Sequence, residues 1–569
     1  MNAHWIVDDE RKQSLIRLGI IGAVAVAVLA GAWFGRPVYR HYREKSALKQ
    51  AQDYFARGDY PNASLSVREV LRLDPTNIPA CRIMVGLAQL LRSPAALDWQ
   101  RRIVQSDPTV ENKLQLASVG LTCQDPPFPL TTQILKDLPS DATNLVDYQI
   151  VAARLALSLR RTDEAESHFA IAARLDPTNR LFALNLATIQ LASTNEAQAV
   201  EARAMLKTLL TDTNLVLPAL RSLVADRIAH KDFEAANAYS TQLLANAQAN
   251  LGDRLQHLDI LRQINHGDFT ADLQALQQGA TTNALAAAQI SAWMRANGLV
   301  ADSLRWLTNL PAGIQSQPLL RLARADAYLQ ETNWQALRDF AAKGDWGEME
   351  FLRLALVSHA WSELGGEHVV ADSNWGAAVN EADDRYSALT TLLNLADQWN
   401  MAPAREDLLE RIYEKFPRET WAATALQQLY LTKGDTAALN QLYAKLSSRF
   451  PRNAVFKNNL AATSLLLKTN LTQALNWAQE VYASNTNNPN FASTYAYALD
   501  LQGRTNDGLA VMRKLDARLL EEPGVALYYA VLLTANGDTN EAATYLKIAR
   551  TKTQWLPEEK RLLESVGGG

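Results

Sequence analysis

Cysteine is scarce in this chain. Only two of its 569 residues, Cys81 and Cys123, are cysteines. This number excludes a disulfide framework and argues against a zinc site built on thiolates. We interpret both residues as core positions of helices, and a single bridge between them stays open at this stage. The cysteines therefore leave the redox state of the compartment undecided.

Glycine and proline are also infrequent, and basic residues do not outnumber acidic ones. The chain has 25 Gly and 20 Pro, and its 56 Lys and Arg against 60 Asp and Glu give a net charge of -4. Few helix-breaking residues beside abundant Ala and Leu favour a helical chain. A protein that binds nucleic acid generally shows a basic excess or stripe. We therefore expect helices and no nucleic-acid partner.

Catalytic motifs are also missing. The eight histidines form no HExxH pair and no cluster with carboxylates, and no Gly-rich phosphate loop, GxSxG elbow or kinase signature occurs. Asp383 and Asp384 are interpreted as a helix start rather than an acid–base pair, because adjacent side chains of a helix point in different directions. The sequence thus predicts no catalytic, metal or cofactor site, and we expect a protein that is not an enzyme.

One long apolar run is present. Residues 18–35 read LGIIGAVAVAVLAGAWFG, without a charged side chain, and Arg17 and Arg36 bracket them. A helix of this length spans about 27 Å, close to the hydrocarbon core of a bilayer. The run predicts a single transmembrane helix that follows an N-terminal tail at residues 1–17.

Cleavage and orientation of this segment stay open. Small residues at 30–32 would suit a signal-peptide cleavage site, whereas the acidic residues at 8–10 favour an uncleaved anchor. The larger number of basic residues after the run weakly favours a cytoplasmic position for the rest of the chain, although large domains cross membranes largely regardless of charge. We expect a single-pass membrane protein whose large domain has no assigned side.

Small residues and prolines recur at a fixed step toward the C-terminus. A 34-residue spacing separates the members of two columns: Pro489, Pro523 and Pro557, and Ala474, Gly508 and Ala542. The step from Pro451 to Pro489 is 38 residues, which we interpret as a short insertion. Such a period indicates stacked helix pairs, with small residues where helices approach closely and prolines where the second helix of a pair ends.

The pattern resembles the tetratricopeptide repeat. A clear copy at residues 44–77 carries Ala51, Tyr54, Gly58 and Pro75. The resemblance implies an all-α fold: a right-handed superhelix, or α-solenoid, of helix pairs preceded by the single transmembrane helix. Beyond residues 1–17 and 18–35, the predicted divisions are an N-terminal array at 44–245, a divergent helical region at 246–383, a C-terminal array at 384–557, and a capping helix with a flexible tail at 558–569. Within the divergent region, the segment GGEHVVADSNWG at 365–376 is predicted to be a loop.

The resemblance also implies a binding surface. Tetratricopeptide arrays bind proteins or peptides on a concave face lined by the first helix of each pair. The residues that match groove-facing positions here are Asn459, Thr463, Asn490, Ser493, Tyr497 and Asp500. The resulting hypothesis is a membrane-tethered scaffold or adaptor for protein partners, placed in a bacterial inner membrane and needing no cofactor.

A second hypothesis is a non-catalytic subunit of an envelope polysaccharide or secretion machine. Its basis is a group of tryptophans in the middle of the chain that could stack on a glycan: Trp334, Trp346, Trp361, Trp375 and Trp399. We favour the alternative that these side chains fill gaps where the repeats diverge. An enzyme is the third and least supported alternative.

Overall fold

The computed structural model consists of α-helices joined by short turns, without a β-strand in the part of the chain that it describes. The described residues are 39–193, 195–344, 346–365 and 368–567. The predicted tail and transmembrane helix at 1–17 and 18–35 lie outside them. No helix within these ranges is both long enough and apolar enough to cross a membrane. The all-α fold predicted from the sequence is confirmed for the described residues.

The chain divides into two compact units, Met1–Gln278 and Gly279–Gly569. The first unit begins with helix α1, described over residues 39–56. It continues with α2 (Tyr60–Leu73), α3 (Ile78–Leu90), α4 (Ala95–Ser106), α5 (Val110–Cys123), α6 (Pro129–Asp137), α7 (Val146–Ser158), α8 (Thr162–Leu175), α9 (Arg180–Gln190), α10 (Glu196–Leu209), α11 (Val216–Ala229), α12 (Phe233–Leu244), α13 (Leu251–Gln263) and α14 (Phe269–Gly279), with a 3-10 turn at Ser140–Asn144. From α3 to α12, each odd-numbered helix packs against the even-numbered helix that follows it.

The second unit is also built from consecutive helix pairs. Its helices are α15 (Ala284–Ala296), α16 (Val300–Thr308), α17 (Ala312–Gln315), α18 (Pro318–Gln330), α19 (Trp334–Ala341), α20 (Glu350–Glu363), α21 (His368–Ala382), α22 (Tyr386–Gln398), α23 (Ala402–Lys415), α24 (Thr420–Lys433), α25 (Thr436–Arg449), α26 (Ala454–Leu466), α27 (Leu471–Ser484), α28 (Pro489–Asp500), α29 (Thr505–Met512), α30 (Ala517–Leu520), α31 (Pro523–Asn536), α32 (Thr539–Ala549) and α33 (Pro557–Gly567), with a 3-10 turn at Gly347–Met349. The single-turn helices α17 and α30 connect pairs.

The first helix of each pair is here called an A helix and the second a B helix. After α1, A helices begin at residues 78, 110, 146, 180, 216 and 251 in the first unit, and at 284, 318, 350, 386, 420, 454, 489 and 523 in the second. The steps lie between 32 and 36 residues. Several successive A helices contact each other directly, among them α5 and α7, α9 and α11, and α26, α28 and α31. We call the face that the A helices of a unit line the inner face of that unit. The structural repeat continues through 246–383, where the sequence columns fade.

The loop predicted at 365–376 is wrong from His368 onward, because α21 begins there. Its buried residues keep a helical spacing even though the 34-residue columns are lost: Ala371, Trp375, Ala378, Val379 and Ala382. Gly365 ends the preceding turn with a positive φ of 64°. Gly376 lies inside α21, where a Cβ would have open space around it. An amphipathic pattern thus outweighs the unfavourable glycine.

The positions of the prolines correct another expectation. Pro489, Pro523 and Pro557 are the first residues of α28, α31 and α33 rather than residues that end B helices. Proline suits this position because the first helical N–H has no partner within the helix. Pro451 instead lies three residues before the start of α26. The 38-residue step from Pro451 to Pro489 therefore reflects two different proline positions, and no insertion is needed.

Asparagine side chains fix where several A helices begin. The Oδ1 atoms of Asn77, Asn453 and Asn488 accept backbone N–H groups at the starts of α3, α26 and α28. Each such bond satisfies one of the N–H groups that a helix start leaves unpaired. At the other end of α31, Gly537 adopts a φ of 92°, a left-handed cap that a side chain would disfavour.

Candidate partner-binding surface

Two neighbouring A helices of the first unit, α9 and α11, border a depression of about 510 Å³. The lining residues come from these helices and the residues just after them: Thr188, Leu191, Ala192, Ser193, Arg221, Ser222, Ala225, Asp226, Ala229 and His230. Since A helices supply this lining, the depression lies on the inner face of the unit. We call it the α9–α11 depression.

A buried carboxylate lies against this depression. The Asp226 side chain has no solvent-accessible surface. Arg203 of α10 donates from Nε to Oδ2 at 3.0 Å and from Nη2 to Oδ1 at 3.2 Å, and Arg227 donates from Nε to Oδ2 at 2.9 Å. Burial raises the pKa of Asp226, but the two guanidinium groups outweigh it and hold that pKa below its usual value. The charged carboxylate therefore ties α10 to α11.

A second ion pair fixes a positive charge beside the depression. Arg221 donates from Nε and Nη2 to the two carboxylate oxygens of Asp253 at 2.9 and 2.8 Å. Asp253 also accepts the backbone N–H of Asn250 at 2.8 Å, as part of the capping box that begins α13. The Arg221 hydrogen bonds hold the pKa of Asp253 below its usual value. The guanidinium is thereby oriented, while 39% of the Arg221 side chain stays exposed.

The rest of the lining combines small apolar and polar groups. Ala225 and Ala229 are exposed one helical turn apart. The hydroxyls of Thr188 and Ser222 lie 3.0 Å apart, and 46% of the His230 side chain is exposed. Oriented hydrogen-bonding groups beside small residues suit an extended or turned segment of another protein. The sequence did not predict this surface, because its residues form no motif. The alanines at 225 and 229, one turn apart on an A helix, are the sequence feature that could have indicated it.

The residues predicted to bind partners do not share one exposed surface. Asn490 is exposed and Asn459 and Asp500 are half-buried. Thr463, Ser493 and Tyr497 are each only 4% exposed, so the expected exposure toward an open groove is wrong for these three.

Internal contacts account for this burial. Thr463 Oγ1 accepts from Asn440 Nδ2 at 2.9 Å, and Ser493 Oγ donates to the carbonyl of Asn490 at 3.2 Å. The Tyr497 ring lies 5.2 Å from that of Tyr528. Burial, with a smaller effect of Asp500, raises the pKa of Tyr497 to about 12. A binding role for these residues stays a prediction.

The five tryptophans in the middle of the chain, Trp334, Trp346, Trp361, Trp375 and Trp399, pack mainly on one another and on neighbouring side chains. Trp346 and Trp375 are buried, and the other three are half-buried. His359 stacks on Trp399 with the ring centroids 4.1 Å apart, and Trp334 forms a T-shaped pair with the same imidazole at a centroid distance of 5.2 Å. The burial of Trp346 and Trp375 agrees with the gap-filling interpretation, and the glycan-stacking hypothesis stays a prediction.

The burial of His359 predicts an acid-sensitive second unit. Burial holds the pKa of His359 below its ordinary value of 6.5. The unfolded chain therefore takes up this proton more readily, so stability is lost as the pH falls below about 6.5 toward the folded-state pKa. Replacing His359 with phenylalanine keeps a flat ring and removes the proton. Urea unfolding at pH 7 and pH 5 should show a smaller loss of stability for the variant.

The comparison has an internal control. His168 and His257 also have lowered pKa values because they are buried, and both remain in the variant. The difference between the two proteins therefore isolates His359. Parallel pH profiles for the two proteins would show that this imidazole carries no proton-linked stability.

Cys81 and Cys123 are both free thiols. Cys81 is buried in α3, where burial raises the pKa of its thiol, and Cys123 is the half-buried last residue of α5. The core interpretation is confirmed for Cys81, and no bridge joins the pair.

The chain is similar to several solved structures. A tetratricopeptide repeat protein from Parabacteroides merdae is 13% identical over 50% of this chain and 99% of that chain, with a TM-score of 0.28. A structure from work on Pseudomonas aeruginosa pilF is 15% identical over 39% of this chain and 99% of that chain, with a TM-score of 0.32. The chain folds as an array of tetratricopeptide-like helix pairs. Its A helices recur at steps of 32 to 36 residues, which is the spacing of such pairs.

The array is also similar to a structure that covers more of it. The APC/C hetero-tetramer Cut9-Hcn1 matches 85% of this chain and 96% of that chain at 12% identity, with a TM-score of 0.30. No protein-family model matches the array, and no curated protein does.

In the described ranges, no group of three or more His, Cys, Asp or Glu side chains could hold a metal ion.

Proposed function

We propose that this repeat array is a scaffold that holds protein partners beside a membrane. The observation that carries the proposal is the α9–α11 depression, in which two A helices present small exposed residues beside hydrogen-bonding groups of fixed orientation. Surfaces of this kind gain affinity from a few well-placed contacts rather than from area alone. The proposed partners are proteins or peptides.

Tethering is the part of the proposal supported by the apolar run at 18–35. An anchored array raises the effective concentration of whatever it holds near the bilayer. The proposed location is a bacterial inner membrane, with the basic residues after the run favouring a cytoplasmic array. Protease added to intact spheroplasts tests the side: an array that survives until the cells are lysed faces the cytoplasm. Release of the full-length chain from membranes by carbonate without detergent would exclude the anchor.

Photo-crosslinking tests the binding surface. A photoreactive amino acid replaces Ala225, an exposed lining residue, in the full chain within its native membrane. We expect discrete adducts that mass spectrometry identifies as the same proteins in repeated experiments. The control places the photoreactive group at Gln242, which is exposed on the B helix α12. Adducts that are absent, or identical at the two positions, would contradict the proposed surface.

A further inference from the structure

The last helix occupies the place of one more A helix. It begins at residue 557, which is 34 residues after the start of α31. Leu562 and Leu563 pack against the buried cluster of Ala526, Leu527 and Ala549 from α31 and α32. Tyr528 donates its hydroxyl to Glu559 Oε1 at 3.2 Å. These contacts are those expected of a helix that covers the end of a stacked array.

Residues at the start of this helix also contact a turn that is far away in sequence. Gln554 Nε2 donates to the carbonyl of Leu431, at the end of α24, at 3.2 Å. Thr436 donates its hydroxyl to the Glu558 carboxylate, 122 positions along the chain. Pro557 lies so near Gly434 that a Cβ there would be 3.3 Å from Pro557 Cδ. Residues 554–562 thus reach from α31 to the turn between α24 and α25.

The A helices between these two anchor points are α26 and α28, and Leu562 of α33 packs against the core cluster to which Leu466 and Tyr497 of these helices belong. Tyr497 of α28 and Leu466 at the end of α26 face Leu562 across a space of about 420 Å³. Tyr497 is only 4% exposed, and it lines a space that α33 borders without filling. An ordinary cap has no need to reach back past two repeats, and a tight core element would leave no such volume.

The contacts of α33 are polar at its first turn and apolar one turn later, and this order indicates the kind of helix that the surface binds. The first turn of α33 carries Glu558 and Glu559, whose carboxylates accept from the hydroxyls of Thr436 and Tyr528. The leucine pair one turn later packs on the apolar side chains below. The pattern is that of an amphipathic helix laid into a groove, with anchors spaced at one turn.

We infer that the inner face from α24 to α31 is a groove for an amphipathic helix, and that α33 is its resident ligand. The partner is a protein helix with an acidic first turn followed by a pair of leucines, and it binds by displacing α33. This inference rests on the proposed scaffold function and names the class of partner. On this inference, the burial of Tyr497 follows from occupation of the groove by α33.

Competition between the resident helix and a free copy tests the inference. The probe is a fluorescent peptide of residues 551–567, titrated into the full chain in detergent and followed by anisotropy. Leu562→Asp in the chain weakens the resident helix, so this variant should bind the wild-type peptide at least about tenfold more tightly than the wild-type chain does, since a tethered competitor acts at high effective concentration. A peptide that carries the same change should not bind.

A matched variant separates release of the helix from a change in its charge. Glu564 lies on the exposed side of α33, and Glu564→Lys should leave binding of the peptide equal to that of the wild type. Equal affinities for the Leu562→Asp and wild-type chains, or binding of the altered peptide, would overturn the inference. A wild-type chain that dimerises by exchanging α33 would overturn it too, because the occupant would be a second copy.

Hydrogen exchange keeps the test informative if Leu562→Asp fails to fold. The wild-type chain is compared with and without saturating peptide. Amides of α33 should lose protection while those of α32 keep it, whereas unchanged protection of α33 would contradict displacement. Crosslinking at Ala225 tests the α9–α11 depression and is independent of this groove. If α33 is displaced but Ala225 forms no adducts, the groove is supported and the proposed α9–α11 binding surface is contradicted. If Ala225 forms adducts but α33 is not displaced, the α9–α11 binding surface is supported and the groove is contradicted.

Discussion

Replacing Gly508 with alanine is expected to destabilise the second unit by about 2 kcal/mol, although alanine is the better helix former. Gly508 lies in α29, where a Cβ would be 2.8 Å from the carbonyl oxygen of Ala496 and 2.9 Å from Leu532 Cδ2. A helix backbone cannot retreat as a flexible side chain can, so α29 must move away from α28. Overpacking strain of about 3 kcal/mol exceeds the gain of about 1 kcal/mol in helix propensity.

The control is the same substitution where there is room. Gly376 lies inside α21, and a Cβ there would meet no other atom within 4 Å. Gly376→Ala should therefore stabilise the protein by up to about 1 kcal/mol. Urea unfolding followed by circular dichroism measures both variants. A shift of the two in the same direction would show that close approach of α28 and α29 does not explain the glycine.

The same close approach explains how far the fold could be predicted. Each member of the column at Ala474, Gly508 and Ala542 is the fourth residue of its B helix and is buried. The 34-residue spacing therefore records a contact that only a small side chain allows. The stack is visible in the sequence wherever such contacts recur. The region around α21 lost these columns but kept the packing, because apolar residues at helical spacing suffice to bury a helix face.

The binding surface was less predictable for a different reason. Position within an A helix indicates which side of the helix a residue such as Tyr497 occupies, but not what covers that side. Helix α33 borders that side, and its start is held by hydrogen bonds from Gln554 to Leu431 and from Thr436 to Glu558, each of which joins residues more than 120 positions apart. In the α9–α11 depression, the Arg221–Asp253 pair joins residues 32 positions apart. Neither relation has a local sequence signature.

Replacing Asp226 with asparagine is expected to cost the first unit about 3 kcal/mol. The amide keeps the shape of the side chain but leaves Arg203 and Arg227 facing each other without the charge that both now contact. Removal of one partner from a buried ion pair is costly, since the remaining charges stay desolvated. Urea unfolding at neutral pH measures the loss.

Asp302→Asn supplies the matched control for that experiment. Asp302 pairs with Arg305 on the surface, where 52% of its side chain is exposed, so this change should alter stability by less than about 1 kcal/mol. The pH dependence adds a second criterion. Because the folded-state pKa of Asp226 lies below its unfolded value of 3.8, its contribution is present above that pH and is lost as the pH falls. The difference between wild type and Asp226→Asn should therefore be constant near neutrality and shrink in acid. A difference that persists unchanged below pH 3 would assign the loss to packing rather than to the buried charge that joins α10 to α11 beside the binding surface.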